Sequence, residues 1–223
     1  MATNLAYFFE TAKKVRGGRW VWVKDGNGED RRNILLGGTI ANPNKGFGHL
    51  WAAQLMEYTP GQAIKIFRSF AVSRASQAAA TTIYIKGDGY SDAPEIGQVI
   101  MLAPDDVTTQ AQSAKITGVT YDETNAEFTV TIDTAIGELA IDDILVEATG
   151  TAASATATVL CPNPNIFNEA DRDLMPTEGF GMQNANYSVS GVYDKQAWIA
   201  KMQPLPKYVL AKNRSYIEGI FWI

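Results

Sequence analysis

Between residues 81 and 147 apolar and polar side chains fall into short runs, each closed by turn-forming residues. Residues 81–86 (TTIYIK), 99–102 (VIML), 115–119 (KITGV), 127–133 (EFTVTID) and 144–147 (ILVE) show either the two-residue alternation or the apolar continuity of strands. Gly87-Asp88-Gly89 and Asp122-Glu123-Thr124-Asn125 separate them with residues that tolerate tight turns. Five strands in about seventy residues predict a small antiparallel β-barrel or sandwich. Residues 96–101 (IGQVIM) and 141–146 (IDDILV) echo one another, each placing a tight polar pair ahead of an apolar run, as at the start of a strand.

The flanks read differently. Residues 4–15 (NLAYFFETAKKV) have a helical aromatic face ended by Gly17-Gly18. Residues 19–24 and 31–36 alternate around Asp25-Gly26-Asn27-Gly28 and predict a hairpin. A Gly/Asn/Pro stretch at 37–48 predicts a surface loop, residues 50–57 (LWAAQLME) two helical turns, and residues 63–72 (AIKIFRSFAV) a β segment. Beyond Cys161 the chain reads as loop to about residue 184, then as a strand at 186–193 and a helix at 195–202, capped by Asp194 and ended by Pro204-Leu205-Pro206. The last residues, 216–223 (YIEGIFWI), are aromatic and apolar, which predicts pairing into a sheet or against another chain.

Two small-residue stretches, 75–82 (ASQAAATT) and 149–158 (TGTAASATAT), bracket the middle. They are either linkers or a pair of edge strands, with 81–84 against 155–159. Both readings place residues 83–148 in one compact unit, and the chain is divided accordingly into a β-barrel-like projecting domain at 75–159 and a loop-rich β/α base, or attachment region, built from 1–74 plus 160–223.

Charge sharpens this division. Residues 1–74 hold 11 Lys/Arg and 5 Asp/Glu, residues 75–160 hold 2 and 13, and residues 161–223 hold 6 and 6. An acidic middle beside a basic N-terminal block suits a module that docks by one part while another stays solvated. The opening Met-Ala-Thr-Asn lacks the pattern of a secretory signal and no apolar run approaches the roughly 20 residues of a membrane span, so the expectation is synthesis in a cytoplasm.

Candidate chemistry is sparse. His49 is the only imidazole and Cys161 the only thiol, which leaves no multi-histidine or multi-cysteine metal set within one chain and no nucleophile motif around the histidine. Gly87-Asp88-Gly89 is followed by no phosphate-cradling helix start. The pairs Asp105-Asp106, Asp122-Glu123 and Asp142-Asp143 lack calcium-loop spacing and read as solvated turns, although paired carboxylates of a hydrolase remain an alternative. The expectation is a protein that is not an enzyme and takes no cofactor or metal. Lys13, Lys14, Arg16, Arg19, Arg31 and Arg32, interleaved with Trp20 and Trp22, form a candidate partner-binding set, to which Phe221 and Trp222 add apolar area. Such a set can grip nucleic acid, but Asp25, Glu29 and Asp30 interrupt it and the sequence pI is near 5.0, so an acidic protein surface fits as well.

The segments 83–89 (IYIKGDG), 95–100 (EIGQVI), 114–119 (AKITGV), 122–127 (DETNAE) and 140–145 (AIDDIL) resemble the barrel of tailed-phage head-fibre and auxiliary capsid proteins, including those of crAss-like and related phages of gut bacteria. Residues 187–193 (YSVSGVY) and 220–223 (IFWI) are similar to the same group. The resemblance implies a virion structural role on the outer surface of the phage head, reinforcing the shell or anchoring a fibre. It also implies the major capsid protein as a partner, with self-association as a homotrimer and contact with another fibre or head protein. A carbohydrate- or cell-surface-binding module of a phage particle is the alternative, for which Tyr84, Tyr90, Tyr121 and Phe128 are the aromatics of the middle region.

Overall fold

The computed structural model describes residues 21–22, 32–41, 48–168, 171–174, 186–194, 197–199, 203–216 and 221–222. The chain is mainly β. Its first strands are β1 (Val21–Trp22), β2 (Arg32–Ala41), β3 (Gly48–Leu50), β4 (Leu55–Glu57) and β5 (Lys65–Ile66). Then come β6 (Ser69–Ala71), β7 (Thr82–Lys86), β8 (Val99–Leu102), β9 (Ala111–Asp122), β10 (Glu127–Ile132), β11 (Ile144–Glu147) and β12 (Ser154–Ala157). The C-terminal part supplies β13 (Ile166–Asn168), β14 (Arg172–Leu174), β15 (Asn186–Asp194), β16 (Ala197–Ile199), helix α1 (Lys207–Tyr216) and β17 (Phe221–Trp222). Contacts divide the chain into two compact units, and among the described residues one holds 68–160 with 203–208 while the other holds the rest.

In the 68–160 unit the strand order is β6-β11-β8-β9-β10-β7, antiparallel throughout, with β12 also on β9. Strand β9 is long enough to serve two sheets. Its first residues pair with β8 and β12, and from Ile116 onward it pairs with β10. Inward positions alternate as the sequence pattern requires: Ile83 and Ile85 on β7, and Phe128, Val130 and Ile132 on β10, are all buried. Full burial of each such side chain contributes about 1.5–3 kcal/mol. The result is a sandwich, not a closed barrel. Its two edges touch at one bridge, Val72 to Ile85, beside which Ser73 N–H donates to Tyr84 O at 3.0 Å.

Strand β12 lies on β9, so segments 81–84 and 155–159 do not form the edge pair expected from the small-residue stretches. Neither stretch is wholly a linker. Ser76 and Leu139 exchange backbone hydrogen bonds at 2.9 and 3.1 Å, and β12 is held through Ser113, whose hydroxyl accepts from Ser154 N–H at 3.1 Å.

The other unit carries a five-stranded antiparallel sheet, β2-β15-β13-β4-β5. A bridge from Ile40 to Ile64 links its outer strands, and Ile40, Leu50, Met56, Ile64, Ile66 and Ile166 form the apolar cluster inside. Strand β3 pairs with β14, and β16 lies between β1 (antiparallel) and β17 (parallel).

Several local expectations are corrected here. Strand β1 pairs with β16 and β2 with β15, and among the described residues no pairing joins β1 to β2 as the expected hairpin requires; residues 19–20 and 23–31 lie outside the described residues. Residues 50–57 make no helix: Ala53 takes a left-handed φ of +63°, the 51–54 turn is closed by Gln54 N–H to Trp51 O at 3.1 Å, and the fully buried β4 follows. Ala197–Ile199 is a strand where a helix was expected, because both neighbouring strands offer it backbone partners. Asp194 ends β15 and caps no helix there. The helix lies after Pro206, whose fixed φ suits a helix entry as well as an exit. Strand β2 runs into the expected 37–48 loop as far as Ala41, and β13 and β14 occupy part of the expected 162–184 loop. The expected helix at 4–15 lies outside the described residues.

The stretch 68–160 leaves and re-enters the other unit at one place. There the buried Cys161 thiol donates to Ile66 O at 3.4 Å, and Phe67 N–H donates to Leu55 O at 3.0 Å. Segments on either side of the excursion are therefore in contact.

Candidate interaction site

Of the basic and aromatic residues expected to bind a partner, Trp22 lies in β1 opposite Ala197, and Phe221 and Trp222 lie in β17 opposite Trp198 and Ile199. One three-stranded sheet thus brings together the two ends of the partner-binding set. Arg32 begins β2 in the other sheet, in register with Asp194. Lys13, Lys14, Arg16, Arg19, Trp20 and Arg31 lie outside the described residues.

The acidic turns of the 68–160 unit spend their carboxylates on their own backbones. Asp88 Oδ1 accepts from Tyr90 N–H and Ser91 N–H at 2.9 and 3.1 Å, and Asp106 Oδ1 accepts from the amide and hydroxyl of Thr108, both at 2.9 Å. Asp122 accepts from the Asn125 side chain and from the amides of Asn125 and Thr124, which together hold its carboxyl below the ordinary aspartate value. Asp143 Oδ2 accepts from Ala140 N–H at 2.7 Å, and Asp142 pairs with Lys86. Among the described residues no group of three or more His, Cys, Asp or Glu is placed to hold a metal ion.

Two polar clusters bracket the segment 68–74. At its start Arg68, 6% exposed, donates to Glu95 Oε1 at 3.1 Å, with Asp92 and Glu147 close enough to interact with its charge. Burial works against the Arg68 charge, but the three carboxylates more than offset it. Around this ion, Ser69 N–H donates to Asp92 Oδ2 at 3.0 Å, Ala71 N–H to Ser91 Oγ at 3.2 Å, and Glu95 N–H to Gln98 Oε1 at 2.8 Å. Gln98 Nε2 donates in turn to Glu147 Oε1 at 3.0 Å.

At the other end, Glu127 Oε2 accepts from Ser73 Oγ at 2.6 Å and from Arg74 Nε at 3.0 Å, while a terminal Arg74 nitrogen lies 2.9 Å from Oε1. Sequence reading missed both clusters. The available signal was a charge inside an apolar strand, Arg68 in AIKIFRSFAV and Glu147 in ILVE, because a buried charge needs an opposite partner.

His49 sits in β3 in register with Asp173, and Cys161 is buried. Of the middle aromatics, Phe128 is buried with its ring centroid 4.7 Å from that of Tyr121, and Tyr84 lies under Arg74. Tyr90 is exposed. No described helix is long and apolar enough to cross a membrane. No family model matches this chain, and neither does any curated protein.

Proposed function

We propose that this chain is a structural protein of a tailed-phage head, an auxiliary capsid or head-fibre protein on the outside of the shell that stabilises it or anchors a fibre. The observation that carries this reading is the distribution of charge over the two units. Residues 68–160 hold 4 Lys/Arg and 13 Asp/Glu, a net −9, with Asp88, Asp105, Asp106 and Glu123 exposed at turns; with residues 1–16 and 203–208 the whole unit holds 8 and 14, a net −6. Residues 17–67, 161–202 and 209–223 together hold 11 and 10, a net +1. A strongly acidic unit is repelled by an acidic shell, so attachment falls to the near-neutral one. Arg68 and Arg74 belong to the 68–160 unit, which leaves less positive charge for docking than the N-terminal sequence alone implies. Apolar burial by β17 and its neighbours therefore supplies most of the attraction, and salt screens that contribution little.

The partners in this reading are the major capsid protein and further copies of the chain, in a homotrimer. Co-sedimentation with purified heads tests it. Removing residues 218–223 deletes Phe221 and Trp222, each able to bury on the order of 150–250 Å², and should abolish binding. Replacing residues 68–160 by about four Gly/Ser residues should spare it, since Ile66 and Cys161 are in contact. Binding that survives the tail truncation but is lost on excision would reverse the assignment.

A further inference from the structure

The cluster around Arg68 holds one cation against three carboxylates. Glu147 and Asp92 are buried, at 9% and 6% exposure, while Glu95 is partly open. We infer that Glu147 is a proton-uptake site, so that the 68–160 unit binds a proton on folding and gains stability as the pH falls towards the ordinary glutamate value. This inference is independent of the phage reading.

The groups facing Glu147 come from every element around it. Strand β8 and the residue before it supply Ile100, opposite in register, and Gln98, which donates to Oε1 at 3.0 Å. Arg68 comes from the residue before β6, and Asp92 and Glu95 from the loop that precedes β8. Strand β11 itself contributes Ile144, Leu145 and Val146, which carry no charge. Arg68 is already engaged by Glu95 at 3.1 Å, so a third ionised carboxylate finds its counter-charge shared. Burial is the largest influence on Glu147 and raises its pKa, and repulsion from Asp92 and Glu95 adds to the rise. Attraction to Arg68 and the Gln98 hydrogen bond oppose it without cancelling it.

The sign follows from linkage. A carboxyl whose folded pKa lies above its unfolded value binds more protons folded than unfolded between the two, so stability falls as pH rises through that window. An ordinary salt-bridged carboxylate does the reverse.

The test is urea unfolding of the full chain from pH 8 to 5.5, for the natural protein and Glu147→Gln. Glutamine keeps an acceptor for Gln98 and removes the titration. Taking the difference between the two proteins cancels the contributions of all other titrating groups. The folding constant of the natural protein should rise relative to the variant by up to about tenfold per pH unit below the folded-state pKa. The variant should be at least as stable at pH 8. Carbon NMR of the Glu147 carboxyl gives a second readout, expected to titrate above the ordinary glutamate value. Parallel pH profiles for the two proteins, or a carboxyl that titrates at or below the ordinary value, would overturn the inference. Should the variant fail to fold, the NMR titration of the natural protein decides alone.

Discussion

The guanidinium carbon of Arg74 lies 4.9 Å from the centre of the Tyr84 ring, while the same group holds both oxygens of Glu127. Arg74 follows the Val72–Ile85 bridge, the one bridge between the outer strands of the 68–160 sheet among the described residues. Stacking and bidentate pairing together fasten that edge, which a single bridge would leave open to fraying.

Arg74→Ala should lower stability by about 1–2 kcal/mol, the sum of a half-exposed ion pair and a cation–π contact. Arg74→Lys should recover only part, because an ammonium cannot stack and bind both carboxylate oxygens together. Urea midpoints for the three proteins check this. Equal midpoints would mean that the edge holds without the clamp.

Gly87 and Gly118 make a matched pair for substitution by alanine. A Cβ at Gly87 would overlap the Tyr121 ring and lie 2.9 Å from Ala126 O, where the chain is tied by Gly87 N–H to Ala126 O at 2.6 Å. A Cβ at Gly118 would meet Thr131 at 3.5 Å, an ordinary contact. Gly87→Ala should cost about 1–3 kcal/mol and Gly118→Ala should lie within about 0.5 kcal/mol of neutral. Thermal unfolding of both variants provides the comparison, and equal losses would contradict the packing described.

Residues 68–160 expressed alone should fold as a β-rich unit, and residues 81–159 should not. The shorter piece loses β6, the Val72 bridge, and both arginines that bracket them. Circular dichroism of the two fragments distinguishes these outcomes. Native-like spectra for both would show that β6 is dispensable.

This difference marks what was legible in the sequence. Strands β8 and β11 appear in the alternation with the ends they have in the structure, and β7, β10 and β15 within a residue or so, because inward residues alternate and turn residues bound each run. Residues 63–72 read as one β segment yet supply β5 to one unit and β6 to the other. Apolar periodicity cannot tell which sheet a strand joins, since that depends on backbone partners distant in the chain. The same limit hid the strands at 55–57 and 197–199, where short apolar runs fit a helix equally well and long-range pairing decides. Of the candidate site, the sequence supplied the aromatic ends but not their meeting on β16, and it gave no spacing by which Arg68 could be matched with Glu147, 79 positions away.

Mass spectrometry of purified virions made from the genome encoding this chain tests the central claim most directly. The chain should be present in heads at a copy number that is a fixed multiple of the capsomer count, as capsid decoration or a fibre base requires, and it should remain after high-salt washing, because the attachment proposed above is mainly apolar. Its absence from washed particles, with the protein recovered free in the lysate, would contradict a virion structural role.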